Sequence, residues 1–491
     1  MITSLKKGLF MTTTLVETNN REEALRVKLS LRECLFGDKA FYGKVATVVI
    51  PMIIQNTLSN IVGLLDNVMV GRVGQLPMSA VAIVNQILFI FYLCIWGSLA
   101  GSGIYGTQFF GKGDMEGVRA TIRFKMMTTV VIVSAWIMIL LSFGKHFIAL
   151  YISEDTTAAD AAKTMEYAAS YLAVMVIGLV PFAITQIFGS AMRESGKTKL
   201  PMIAGMTAMV VNFVFNLLLI FGLLGFPKLG VLGAAIATVI SRFVEMSIVL
   251  IGAYTSEKYR FFHGLFSPFV VPRQMIWPLL SKCLPLLANE FFWSMAQAAL
   301  LQAYSTRNLA VVAAMNISGT ISQIFNEVFL SLGNSTGIIV GQELGAGRLV
   351  NARRSAWRMI NTSFLSTLVM GSLLATVAPF IPQIYDVEPD VKVLATRCIW
   401  MVALCMPIHS FANASYFTLR SGGKILITIL FDSCFSWVVS VPTAYILCKY
   451  TNIYIVTVYG IVMGVEILKC ILGFILIRNG VWVRNIVGEE E

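Results

Sequence analysis

Twelve stretches of this chain are apolar over about 20 residues or more, enough to cross a bilayer hydrocarbon core of ~30 Å. Their approximate limits are 45–70, 78–108, 122–149, 161–188, 199–223, 231–253, 275–304, 310–340, 358–381, 391–418, 424–447 and 452–477. Lipid offers no partner for a backbone N–H or C=O, so a span of this kind satisfies itself as an α-helix. Only 13% of the residues are charged against 57% hydrophobic, with a mean hydropathy of +0.77, whereas a soluble domain carries roughly 25% charge. The expected fold is an all-α integral membrane protein of twelve transmembrane helices.

The net charge of +11 invites a nucleic-acid reading, which its placement disfavours. Lys112, Arg119, Arg123 and Lys125 follow the second span, Arg193, Lys197 and Lys199 the fourth, and Lys258, Arg260 and Arg273 the sixth. Arg348, Arg353, Arg354 and Arg358 follow the eighth, and Arg420 and Lys424 the tenth. The alternate loops hold acids instead: Glu154, Asp155, Asp160, Asp386, Glu388 and Asp390. Basic loops stay in the cytoplasm, so both termini are expected there and no nucleic-acid partner is. Residues 1–44 read as a cytoplasmic arm without a cleavable leader, disordered over Met1–Asn20 and forming an amphipathic surface helix over Arg21–Lys44. The tail, 479–491, falls on the same side.

Eight cysteines lie scattered, with no CxxC pair, and His146, His263 and His409 are far apart. Neither a disulfide framework nor a metal motif is expected. No Walker motif is present, so ATP is not the expected driver. With no nucleophile, metal or paired-acid motif either, the chain does not read as an enzyme, and no cofactor is expected.

The chain repeats itself. Ile50–Asn56 (IPMIIQN) matches Leu284–Glu290 (LPLLANE), and Gly101–Asp114 matches Gly333–Arg348, pairing Gln108 with Gln342 and Gly111 with Gly345 at a constant offset of 234 residues. Ala191–Lys199 (AMRESGKTK) returns as Thr418–Leu426. The copies recur six spans apart, an even number, so the halves share topology as parallel repeats. Two pseudo-symmetric six-helix bundles are expected, an N-lobe at 45–254 and a C-lobe at 275–478, joined by a cytoplasmic loop at 255–274. Transporters built this way hold substrate between repeats and rock one against the other.

These residues resemble the multidrug and toxic compound extrusion (MATE) family. The likeness runs from about Ala46 to Trp482 and rests on Pro51 with LLDNVMVGRVG, the paired loops around Gln108 and Gln342, AMRESGKTK with its copy at Arg420, and GVLGAAIATVISR at Gly230–Arg242. The resemblance implies two six-helix lobes enclosing a cavity, and cation-driven export of drugs or metabolites from a bacterial cytoplasmic membrane.

Asp66 is a carboxylate inside the first span. A charge at membrane depth costs about 2.5–3.5 kcal/mol on insertion scales and usually faces a cavity with a task. Asn212 and Asn216 are four residues apart, on one helix face, and Thr238 lies on the next helix. Carboxylate, amide and hydroxyl oxygens suit a hard cation such as Na⁺. In the family, the aspartate resembling Asp66 looks toward this cluster, its proposed cation site. Some members carry a second aspartate where this chain has Asn216, which leaves one formal charge and keeps both Na⁺ and H⁺ open, with a slight lean to Na⁺. Asp66 alone suffices for the proton reading.

Glu290 lies about 15 residues inside the seventh span, ~22 Å deep, and Glu327 is at similar depth in the eighth. Both are candidates for the substrate cavity or for C-lobe coupling, as is His409, which stands where relatives place an acid eleven residues before the loop arginine. Glu466 with Lys469, and Glu245 with Arg242, read as self-paired sets three residues apart. Asp432 reads equally as structural or gating. Pro51 is expected to act as a hinge in the helix that carries Asp66. The expected activity is antiport: Na⁺ or H⁺ enters while an organic, cationic amphipathic molecule leaves by alternating access. A dedicated metabolite exporter and a lipid-linked precursor flippase of the wider superfamily are the alternatives. The expected partners are the bilayer and a small organic substrate, with the chain a monomer.

Overall fold

The computed structural model describes residues 21–152, 157–385 and 387–488, and these contain helices and no strand. The arm segment 1–20 and the loop acids Glu154, Asp155 and Asp386 lie outside the described residues. The long helices are α1 (Lys39–Gly71), α2 (Gln75–Lys112), α3 (Met115–Ala149), α4 (Ala158–Ile177), α5 (Leu179–Glu194), α6 (Lys199–Phe221) and α7 (Val231–Thr255). They continue with α8 (Arg273–Ser305), α9 (Leu309–Gly345), α10 (Leu349–Val377), α11 (Pro389–Ser421), α12 (Ile425–Tyr450) and α13 (Ile455–Arg478). Nine of these, among the described residues, are long and apolar enough to cross a membrane. The pair α4–α5, bent by 44°, makes a tenth. The remaining two, α8 and α9, are 33 and 37 residues long.

One continuous span was expected at 161–188, and the bend is the departure from it. Pro181 has no N–H to give Ile177 and its ring crowds that carbonyl, which breaks the helix at Gly178. A second departure concerns Arg21–Lys44, which forms short helical pieces at 21–26 and Leu31–Leu35 before α1 begins. Ser30 and Glu33 cap each other's backbone and start a new helix. Side chains of α10 then take the arm's loose carbonyls: Arg353 binds Ala24 O, Arg358 binds Glu33 O and Asn361 binds Leu35 O.

The helices pack as two compact units, neither of them one continuous stretch of chain. One comprises residues 50–103 and 116–283; the other comprises the described parts of 1–49, 104–115 and 284–491. The division falls two residues before Pro51 in α1 and, at the repeat-related place in α8, two residues before Pro285.

Within the first unit, α6 and α7 lie closest. A Cβ on Gly233 would fall 2.5 Å from Leu219 O, and its neighbours Ala234, Ala235 and Ala237 are buried; small residues of this kind let helices approach in lipid. Lys125 of α3, fully buried, pairs with Glu194 of α5 at 2.5 Å. Arg123 ties down the segment after α7, donating to Gly264 O, Leu265 O and Val270 O at 2.8–3.1 Å.

In the second unit, α9, α10 and α11 pack on one another and α11 on α13. Ala395, Ile399, Val402 and Met406 line one face of α11 at helical spacing and are all buried. The repeated glycine motifs meet here. A Cβ on Gly111 would lie 2.0 Å from Gln342 O, and one on Gly345 would lie 1.9 Å from Gln108 O. Gly113 and Gly347, one in each copy, end α2 and α9 with φ of +79° and +73°, the left-handed terminator that favours glycine. Gln108 also holds the chain end: its amide donates to Ser421 O and Arg484 O and accepts from the Ile486 N–H.

Candidate functional site

Asp66 sits in the last two turns of α1, half-buried. Asn212 and Asn216 project from one face of α6, both buried, at 5% and 1% exposure. The Asn216 amide nitrogen donates to Asp66 Oδ1 at 2.6 Å and reaches Asn212 Oδ1 at 3.2 Å. Thr238 Oγ1, on α7, stands 3.3 Å from the Asn212 amide. With that amide turned over, its nitrogen donates to both Asp66 oxygens at 3.0 and 3.1 Å and its oxygen accepts from Thr238. This orientation sets the Asn212 nitrogen against the Asp66 carboxylate and its oxygen against the Thr238 hydroxyl, and it leaves the two amide nitrogens of Asn212 and Asn216 3.2 Å apart.

The four residues predicted as a cation cluster are therefore gathered, on three helices of one compact unit. Asn216 Oδ1 is buried and, among the described residues, accepts no hydrogen bond. A buried acceptor left open costs free energy comparable to a lost hydrogen bond. Beside a carboxylate, such an oxygen suits a cation.

The C-terminal candidates divide differently. Glu290 is half-buried on α8, with Arg420 and Asp432 as its charged neighbours. The adjacent Asn289, 1% exposed, donates to Asp432 Oδ2 at 2.9 Å and accepts from Ser433 Oγ at 2.6 Å. Asp432 rides on a π-helical turn, Leu430–Cys434, a local distortion frequent at functional sites. Glu327 is half-buried on α9.

His409 belongs elsewhere: its Nδ1 lies 2.9 Å from Glu466 Oε2, while Lys469 Nζ holds Glu466 Oε1 at 3.0 Å. The Glu466–Lys469 pairing expected from their spacing is present, with His409 added to it. Glu245 and Arg242, in contrast, do not pair: among the described residues no carboxylate oxygen comes within 4.0 Å of the Arg242 guanidinium. Asn289 and Ser433 escaped the sequence reading. Asn289 stands directly beside Glu290, and a second polar residue at that depth was the available signal.

Fold and cluster together define a multi-pass membrane protein with its polar chemistry inside the spans. The MatE family profile matches residues 51–218 and 285–446, and the chain belongs to that family. It is 22% identical over 451 residues to the "Probable multidrug resistance protein NorM" of Thermotoga maritima, covering 90% of this chain and 93% of the relative. It is 28% identical over 286 residues to the protein of the same name from Bacillus cereus, covering 58% of this chain and 63% of that one. Among solved structures, an outward-facing multidrug resistance MATE family transporter of the MOP superfamily superposes with a TM-score of 0.80 at 18% identity, covering 92% of this chain and 98% of that one. A MATE in complex with MaL6 superposes with a TM-score of 0.79 at 18% identity, with the same coverage.

Proposed function

We propose that this protein is a secondary active exporter of organic, cationic amphipathic drugs or metabolites, driven by Na⁺ or H⁺ entering through the Asp66 site. The observation that carries the reading is the gathering of Asp66, Asn212, Asn216 and Thr238 at membrane depth. A buried carboxylate is costly while charged, so it holds a proton or a cation, and either one carries charge across with it. The relatives named for multidrug resistance support the substrate class. Twelve spans in two six-helix lobes, with cytoplasmic termini in a bacterial cytoplasmic membrane, complete the reading, and the protein works as a monomer without a resident cofactor. Pro51 serves as the hinge of α1, a role favoured by the unit boundary beside it. Glu290, Glu327 and His409 serve the substrate cavity or C-lobe coupling.

The test is reconstitution with a fluorescent organic cation, imposing Na⁺ and pH gradients separately on wild type and Asp66→Asn. Export driven by one gradient and lost in Asp66→Asn is expected. Export by neither gradient removes antiport, and normal export by Asp66→Asn removes Asp66 as the coupling residue.

A further inference from the structure

The start of α10 and the end of α13 meet at the N-terminal arm. Arg353 of α10 donates to Ala24 O at 2.5 Å, and Arg21 of the arm donates to Gly480 O, just past α13, at 3.4 Å. The two helices therefore run in opposite directions, and further in the Trp357 and Phe474 rings meet edge-on, 5.4 Å apart. A groove of about 380 Å³ opens there between α10, α11 and α13, with Phe364, Pro407, Phe411 and Ile471 among its walls. It runs along α13 from Ile475 to Ile467, about 4 to 16 Å from Arg478 at 1.5 Å per residue. That is the depth of one leaflet of a ~30 Å hydrocarbon core.

The rim of the groove is basic. Lys28 and Arg32 of the arm and Arg478 are exposed, and among the described residues none of the three joins an ion pair. Glu33, next to Arg32, is held by Arg354 at 3.0 Å. Leu31 and Phe36 of the arm are 77% and 57% exposed, and bare apolar side chains interleaved with bases describe a segment lying in the headgroup layer. Orienting the chain in the bilayer asks only for bases near the span ends; it asks for no groove beneath them. Nor does the groove suit a drug-sized molecule, whose site carries a few placed polar groups. Its walls are Phe, Ile and Pro side chains together with Cys470, whose Sγ already donates to Ile408 O at 3.3 Å. A lipid chain needs no polar partner.

We infer that the groove and its basic rim bind one anionic phospholipid. An acyl chain lies between α10, α11 and α13, and the phosphate is held by Arg478 with Lys28 and Arg32. Basic pockets at the ends of membrane helices take such headgroups. The bound lipid touches the arm and α13 at once, and so adds to the contacts that fix the arm to this unit. The site is independent of what the protein exports.

Native mass spectrometry of the whole protein tests this. The protein is equilibrated in detergent with equal amounts of dioleoyl phosphatidylglycerol and dioleoyl phosphatidylcholine, and the retained lipids are counted. Wild type is expected to keep one phosphatidylglycerol about tenfold more often than phosphatidylcholine, as several bases at one headgroup provide. Arg478→Gln is expected to lower that retention about fivefold, the effect of one base near the surface, and Arg478→Lys to restore it. Ile471→Trp fills the groove and leaves every base in place; it is expected to lower retention too, with an elution profile in size exclusion matching wild type. Prior incubation with inorganic phosphate is expected to displace nothing, and displacement by it marks an ion site and overturns the inference. Equal retention of the two lipids by wild type, or phosphatidylglycerol retention unchanged in either Arg478→Gln or Ile471→Trp, also overturns it.

Discussion

The Asn216 amide nitrogen lies 2.6 Å from Asp66 Oδ1, joining residues 150 positions apart in the chain. Asp66 therefore meets a donor where some family members offer a second acid. Asn216→Asp replaces that donor with a carboxylate beside the first, and two adjacent carboxylates require a cation or a proton between them. Na⁺ affinity is expected to rise about tenfold, roughly 1.4 kcal/mol, in equilibrium ²²Na⁺ binding. Asn216→Ala is expected to weaken it. Unchanged binding in both variants places the Na⁺ site away from Asp66.

Lys125 and Glu194 form a buried pair whose partners depend on each other. Lys125→Met leaves Glu194 buried, and stranding one member of such a pair costs about 3–5 kcal/mol. A lower melting temperature in detergent is expected for Lys125→Met, with most of the loss recovered in Lys125→Met/Glu194→Gln. Failure of the double variant to recover means that Glu194 draws its support from groups other than Lys125.

Gly345 offers no room for a side chain, because its Cβ would stand 1.9 Å from Gln108 O. Gly345→Ala is expected to push α9 from the end of α2 and to reduce the yield of folded protein. Gly319, on the same helix, has nothing within 4 Å of the equivalent position. Gly319→Ala is expected to be neutral or to stabilise by about 0.5–1 kcal/mol, since alanine loses less backbone freedom in a helix. Fluorescence-detected size exclusion after heating distinguishes the two variants.

Asn289 serves Asp432 and Ser433 at once. Asn289→Ala removes a donor and an acceptor from a buried network, at about 1–3 kcal/mol for the groups left unsatisfied. A lower melting temperature is expected, and Ser433→Ala is expected to add little on top of it. Additive losses argue that the two side chains act separately.

Legibility followed the range of the physics. Span positions were readable because each apolar block announces its own length, and the i,i+4 spacing of Asn212 and Asn216 put both on one face before any fold was known. The break at Gly178 was readable in principle from Pro181, yet hydropathy alone runs through it. Arg242 and Glu245 have the spacing of a helical pair, but Gly178 O and the Tyr92 hydroxyl come from other helices and drew the guanidinium away. Asn289 and Asp432 are 143 residues apart, and no local pattern announces a contact of that range. Pro51 and its repeat partner Pro285 were legible in the sequence, whereas the unit boundary beside each of them required the packing.

The glycine contacts carry one more implication. Gly111 meets Gln342 and Gly345 meets Gln108, so each copy of the motif touches the other copy by the same rule. That is the defining property of an isologous interface, in which one patch recognises itself across a two-fold axis. The sequence repeat and the contact are thus one relationship seen twice: whatever either copy of the motif offers its partner, it also receives.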